Sequence, residues 1–258
     1  MNGILLASAG TCFTFLMTIL GAAVVFFFRK TMTESMEKGL LGFAAGIMIA
    51  ASFWSLLEPA IEQAKEFCIP SWILAAAGFL SGGILLIAFD HLLPHVYQSD
   101  ELENGGPKKN SAMLILAVVL HNIPEGMAVG VSFASAANEQ IPFSAAFALA
   151  IGIGIQNIPE GAAIALPLWK RGMSRKKAFF YGGLSGVVEP VFGILTLLAV
   201  SGASKIMPWL LSFAAGAMIY VAIEELIPEA HIGTGNKAGV CGVFGGFLLM
   251  MILDVALS

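Results

Sequence analysis

Eight strongly apolar stretches, each long enough to cross a bilayer, dominate this sequence and leave few folds open to it. They run roughly over 3–28, 38–61, 71–93, 111–134, 142–168, 177–200, 206–229 and 238–257. About 20 apolar residues in a helix span the hydrocarbon core. A helix pairs its backbone N–H and C=O groups within one segment, which lipid demands of anything that crosses it. Only 12% of the 258 residues are charged, where soluble domains carry roughly a quarter. The expected fold is therefore an all-α polytopic membrane protein, one transmembrane eight-helix domain over residues 1–258. Gly3 to Phe28 has no basic leader and is followed directly by Arg29 and Lys30, so a retained first helix is expected rather than a cleaved signal.

The basic residues orient the chain. Eleven of the thirteen lie in or beside the connections after spans one, three, five and seven: Arg29, Lys30, Lys38, Lys108, Lys109, Lys170, Arg171, Arg175, Lys176, Lys177 and Lys237. Lys65 and Lys205 are the two on the other side. Cytoplasmic loops are enriched in Lys and Arg, so both termini are expected outside the cytoplasm. An odd number of spans would scatter this asymmetry. The formal net charge is −4 and no basic face is formed, which excludes nucleic acid as a partner. Cys12, Cys68 and Cys241 are scattered and form no CxxC pair, so neither a disulfide framework nor a zinc knuckle is expected.

Two repeats run through the apolar pattern. HNIPEG (121–126) in span four recurs as QNIPEG (156–161) in span five, and FAAGIMI (43–49) in span two recurs as FAAGAMI (213–219) in span seven. With eight spans, the members of each pair run in opposite directions. Such inverted repeats place a transport site near the midplane, where helices broken by Gly and Pro meet.

The chemistry sits in those midplane motifs. Span four carries His121, Asn122 and Glu125; span five carries Gln156, Asn157 and Glu160; span six carries Glu189. Three glutamates at that depth cost on the order of 8–10 kcal/mol if nothing offsets them. No Lys or Arg stands mid-span to do so, which leaves a bound cation, a proton, or water in a polar cavity. Spacing favours the cation: His121 and Glu125 are four apart on one helix face, as are Gln156 and Glu160. Pro124 and Pro159 cannot donate to the carbonyls of Leu120 and Ile155, which frees those oxygens and is expected to kink both helices. Imidazole and carboxylate without thiolate suit Zn²⁺, Fe²⁺, Mn²⁺ or Cd²⁺ better than Cu⁺.

HNIPEG and QNIPEG on consecutive spans, followed by GVVEP and a span ending EELIPEA, resemble the ZIP (Zrt/Irt-like) metal transporters, in their bacterial GufA-like branch. The resemblance covers essentially the whole chain. It implies an eight-helix bundle with a two-metal site on spans four and five. One metal would use His121, Glu125, Gln156 and Glu160; the second would use Asn122, Glu125, Asn157, Glu160 and Glu189. Some relatives have aspartate where this chain has Asn157, which lowers the charge of the second site here. Others have histidine in place of Gln156. The ion is then a substrate moving into the cytoplasm, with no prosthetic group.

Asp90, His91 and His95 near the end of span three, with Glu224 and Glu225 near the end of span seven, resemble a release path on the cytoplasmic side. Glu58 and Asp254 fall toward the outer ends of their spans and read as interfacial residues that could line an entrance. The competing function is proton-linked transport of an organic solute by the same carboxylates. A membrane zinc protease would need HExxH, which does not occur, so no enzyme is expected. Expected partners are divalent ions and lipid, with a homodimer left open. The short loops suggest a bacterial inner membrane.

Overall fold

The structure, a computed structural model, describes residues 3–27, 33–98, 107–170, 172–201, 204–230 and 237–257, with the side chains of 3, 90, 92–98, 107–118, 120, 121, 200, 201 and 204 outside the description. Among the described residues there are eight helical stretches and no strands. Helix α1 is Gly3–Ala23, closed by a 3-10 turn at Val24–Phe26. Helix α2 is Glu34–Ala51, followed without a break by a π-helical segment, Ser52–Leu57, and by Glu58–Ala64. Helix α3 is Ser71–Gln98, α4 is Pro107–Ala137 and α5 is Phe143–Lys170. Helix α6 runs from Arg175–Leu184 through a 3-10 turn, Ser185–Val187, into Val188–Ser201. Helix α7 begins with the turn Ser204–Ile206 and continues through Met207–Val221, a π segment Ala222–Leu226 and Ile227–Glu229. Helix α8 is Ala238–Leu257. Seven of these are long and apolar enough to cross a membrane on their described residues. The other, α4, is 31 residues long and carries HNIPEG.

The eight spans stand where hydropathy puts them, but the helices outrun the apolar windows. Local hydrogen bonding sets a helix end, and a polar first turn is no obstacle to it. The Thr33 hydroxyl accepts from the Met36 N–H at 3.3 Å and starts α2 four residues before the apolar run. Lys38 is then buried along its stem and reaches back to Glu34 at 2.6 Å. Helices α4 and α5 run without interruption through Pro124 and Pro159. The π segments have no hydropathic signature. Each lies just ahead of a proline, Pro59 or Pro228, where a missing N–H interrupts the regular ladder and the turn widens. The Glu58 N–H accordingly bonds Phe53 O, and the Ile227 N–H bonds Ala222 O, each five residues back.

Four close helix pairs build the bundle: α2 with α8, α3 with α7, α1 with α5, and α4 with α6. All four are parallel, since contacts advance in the same direction along both members. Gly42 faces Gly239 and Gly46 faces Val243; Gly78 faces Trp209 and Gly82 faces Phe213; Gly126 faces Glu189 and Gly130 faces Gly193. Helices α1 and α6 are antiparallel, with Gly183 against Ile19, Gly186 against Thr18 and Gly193 against Thr11. These directions are those of a chain that reverses at every connection. Glycine at the contacts lets one backbone rest on the next, which is how helices associate where lipid removes the hydrophobic drive. The interior is correspondingly rich in alanine, while Leu16, Leu80, Ile84, Leu195 and Phe244 point outward.

The contacts also show how the repeat is organised. The Gly242 contact with the Gly39 carbonyl matches that of Gly78 with the Trp209 carbonyl, and Gly46 on Val243 matches Gly216 on Phe79. Each match shifts α2 to α7 by 170 residues and α3 to α8 by 164. Gly126 against the Glu189 carbonyl likewise matches Gly161 against the Thr18 carbonyl. Helices α1–α3 therefore correspond to α6–α8 and α4 corresponds to α5, and the two π segments begin 170 residues apart, at Ser52 and Ala222.

A methyl group at one of these contacts has nowhere to go. A Cβ at Gly246 would lie 2.0 Å from the Phe43 carbonyl oxygen, whereas one at the neighbouring Gly245 meets nothing nearer than 3.8 Å. Overpacking typically costs about 1–3 kcal/mol, so Gly246→Ala is expected to lower the melting temperature of the purified protein by roughly 5 °C or more. Gly245→Ala should melt like the parent, and equal melting of both variants would contradict the contact.

Candidate functional site

The motif residues come together on α4, α5 and α6, where Gly126 and Gly161 press these helices against their neighbours. A Cβ at Gly126 would stand 2.4 Å from the Glu189 carbonyl oxygen, and one at Gly161 would stand 2.2 Å from that of Thr18. The glycine ending each NIPEG motif thus fixes the depth at which α6 meets α4 and α1 meets α5. Asn122, Glu125, Gln156, Asn157, Glu160 and Glu189 are all buried. His121 stands on α4 one turn before Glu125, and its side chain lies outside the described residues.

Two hydrogen-bonded groups form at the site. On the α4 side, the Gln156 amide Nε2 donates to Glu125 Oε1 at 2.7 Å. On the α6 side, the Asn157 Nδ2 donates to Glu189 Oε2 at 3.0 Å, to the Thr18 hydroxyl at 3.1 Å and to the Thr14 carbonyl at 3.2 Å. The Thr18 hydroxyl donates in turn to Glu189 Oε1 at 3.0 Å. Other polar atoms are left over. Glu125 Oε2, Gln156 Oε1, Asn157 Oδ1 and both polar atoms of Asn122 are buried without a hydrogen-bond partner among the described residues. A buried polar atom without a partner costs about 1–3 kcal/mol, and more where charge is involved.

Electrostatics sharpen the problem. Glu125 lies within repulsive reach of Glu160 and Glu189, and Glu160 within reach of Glu189 and Glu225. Glu160 is thus within reach both of the Glu189 carboxylate and of Glu225 in the π segment of α7. Among the described residues none of Glu125, Glu160 and Glu189 is paired with Lys or Arg. Nor do three His, Cys, Asp or Glu side chains converge to metal-ligand distance among the described residues. The convergence that does occur is of carboxylate with amide, and its unpartnered atoms among the described residues are oxygens except for Asn122 Nδ2, which suits a cation better than an anion.

The outer residues fall in different settings. His91 and Glu224 are exposed and Glu225 is half-buried; Asp90 and His95 lie on α3 with side chains outside the described residues. Glu58 is exposed, as an interfacial residue should be. Asp254 is not: it is buried at 4% exposure and accepts from the Ser55 hydroxyl at 2.5 Å, joining α8 to the π segment of α2. Its place three residues from the end of α8 made it look interfacial, and α2 covers it. Thr14 and Thr18 were not singled out by sequence. Threonine in an apolar span reads as a packing residue, and only their hydrogen bonds to the site residues Asn157 and Glu189 distinguish these two.

Asn157 is the donor on which the α6 group depends. Asn157→Leu leaves Glu189 and Thr18 short of a partner inside the bundle, at a cost of about 1–3 kcal/mol. The variant should melt several degrees below the parent in detergent, and an unchanged melting temperature would show that Asn157 is not holding this group together.

Residues 98–254 match the family model described as ZIP Zinc transporter. The chain is 42% identical to "Zinc transporter GufA" of Myxococcus xanthus, over 84% of this chain and 86% of that protein. It is 36% identical to "Zinc transporter ZIP11" of Homo sapiens, over 98% and 97% of the two chains. With "Zinc transporter ZIPB" of Bordetella bronchiseptica it shares 34% identity over 95% of this chain and 79% of that one.

Proposed function

The chain belongs to the ZIP zinc transporter family, and on that premise we propose that it carries divalent transition-metal ions, zinc first among them, into the cytoplasm through a site shared by α4, α5 and α6. The observation that carries this reading is the set of buried oxygens left without donors among the described residues: Glu125 Oε2, Gln156 Oε1, Asn157 Oδ1 and Asn122 Oδ1. A divalent cation answers all of them at once and offsets the carboxylates' mutual repulsion. In this reading one ion is held by His121, Glu125, Gln156 and Glu160, and a second by Asn122, Glu125, Asn157, Glu160 and Glu189. Glu125 and Glu160 are common to both sets and would bridge them.

Carboxylate, amide and imidazole donors hold zinc without the thiolates that would trap it. Passage needs binding that is firm enough to strip water and weak enough to let go. The mixed donor set, with Asn157 where a carboxylate would add charge, fits that requirement. Glu160 lies within electrostatic reach of Glu225, which supports an inward path past the π segment of α7, with Asp90, His91, His95 and Glu224 as its further members. The bias of the basic residues supports a cytoplasmic location for that end, so both termini lie outside the cytoplasm in this reading, in a protein of the inner membrane. The protein acts as a carrier, without prosthetic group or enzymatic step.

Purified protein in liposomes, given an inward zinc gradient, should take up zinc at a rate that falls about tenfold or more in Glu125→Ala and in Glu160→Ala, as removal of a charged ligand from a buried site implies. Zinc, iron, manganese and cadmium all remaining outside the wild-type vesicles would refute metal transport. The same carboxylates would then be left to proton-linked movement of an organic solute.

A further inference from the structure

We propose that Thr18 of α1 is a positioning residue of the metal site: its hydroxyl locks Glu189 and Asn157 into the arrangement that leaves the Asn157 carbonyl oxygen free for the ion. The inference rests on the metal-site reading above and adds to it a residue from a helix that contributes no ligand there.

The geometry around Thr18 is built for contact. Its side chain is 1% exposed, and two glycines clear the space it fills. A Cβ at Gly161 would stand 2.2 Å from its carbonyl oxygen, and one at Gly186 would stand 2.9 Å from its hydroxyl. The first glycine lets α1 lie against α5 and the second lets the 3-10 turn of α6 wrap the hydroxyl. By the repeat that relates α1 to α6, Thr18 occupies on α1 the place that Glu189 occupies on α6. The two corresponding side chains meet each other, Thr18 Oγ1 to Glu189 Oε1 at 3.0 Å.

The hydroxyl has one proton and two acceptors in reach, Glu189 Oε1 at 3.0 Å and the Thr14 carbonyl at 3.4 Å. The charged and nearer acceptor takes it. The hydroxyl oxygen meanwhile accepts from Asn157 Nδ2 at 3.1 Å, while the same nitrogen reaches Glu189 Oε2 at 3.0 Å. Thr18, Asn157 and the two carboxylate oxygens thus close a ring. Turning the Asn157 amide over would set its oxygen against the carboxylate, so the ring admits one orientation. In that orientation Nδ2 is fully used and Oδ1 is buried without a donor among the described residues. Without the hydroxyl the ring opens: Glu189 loses a donor, and the amide loses the contact that holds it.

The test is zinc uptake by the full-length protein in liposomes, as a function of zinc concentration, for Thr18→Val, Thr18→Ser, Thr11→Val and Glu125→Ala. Valine keeps the shape and removes the hydroxyl. Thr18→Val is expected to raise KM about tenfold while Thr18→Ser stays within about twofold of wild type, the scale of one hydrogen bond to a charged group lost or kept. Thr11 lies on the same helix, and its hydroxyl donates to the Ala7 carbonyl at 2.8 Å, so Thr11→Val should leave KM unchanged. An unchanged KM in Thr18→Val beside an inactive Glu125→Ala overturns the role of Thr18 and leaves the metal site standing. A serine variant as impaired as the valine one also overturns it, because shape rather than the hydroxyl would then matter. Undiminished uptake in Glu125→Ala would instead overturn the metal site itself. Should valine unsettle the bundle, shown by a lowered melting temperature, Thr18→Ala gives the same comparison with the same two outcomes.

Discussion

A carboxylate buried inside a bundle of apolar helices must be given a proton, a donor or a cation, and the rest of this structure is arranged around three of them. Glu125, Glu160 and Glu189 are buried, within repulsive reach of one another and without Lys or Arg among the described residues. The protein supplies donors to them unevenly. Gln156 takes one oxygen of Glu125, and Asn157 with Thr18 takes Glu189. The donors stop short of satisfying the set, and the shortfall is concentrated in oxygens on α4 and α5. A bundle selected only for stability would replace such residues with leucine at a gain of several kcal/mol.

The glycine contacts make that arrangement rigid. Parallel pairs α1–α5 and α4–α6 carry the polar residues, while α2–α8 and α3–α7 are joined by glycine contacts of their own. Each pair is the counterpart of another under the inverted repeat, so one packing solution serves twice in opposite orientations. The polar site sits where this symmetry is broken. His121 corresponds to Gln156 and Thr18 to Glu189, and the asymmetry gives one side of the site a carboxylate where the other has a hydroxyl. The π segments of α2 and α7 extend the repeat toward the two mouths. One holds Ser55 against Asp254 and the other carries Glu224 and Glu225.

Much of this was legible in the sequence, and the reasons differ from feature to feature. Eight spans follow from hydropathy because lipid leaves the backbone no alternative to helix. The NIPEG motifs and Glu189 stood out because a charged residue at mid-span is costly. What escaped was whatever depends on which helix lies beside which. Thr18 looks like Thr11 until its hydroxyl is found between Glu189 and Asn157, and Asp254 looks interfacial until α2 covers it. The pairing of α1 with α5 and of α4 with α6 was implied by glycines whose partners only the fold reveals. Helix ends moved because Thr33 and Lys38 are set by capping and by a local ion pair rather than by hydropathy.

The central claim is that a metal ion occupies the space between α4 and α5, and crystals of the zinc-loaded protein test it most directly. An anomalous difference map at the zinc edge should show a peak about 2.0–2.2 Å from an oxygen of Glu125 and from ligands on α5, the distances zinc keeps to oxygen and nitrogen. Zinc density confined to the mouths of the bundle, with none beside Glu125 or Glu160 in a protein that still transports zinc, would contradict the account.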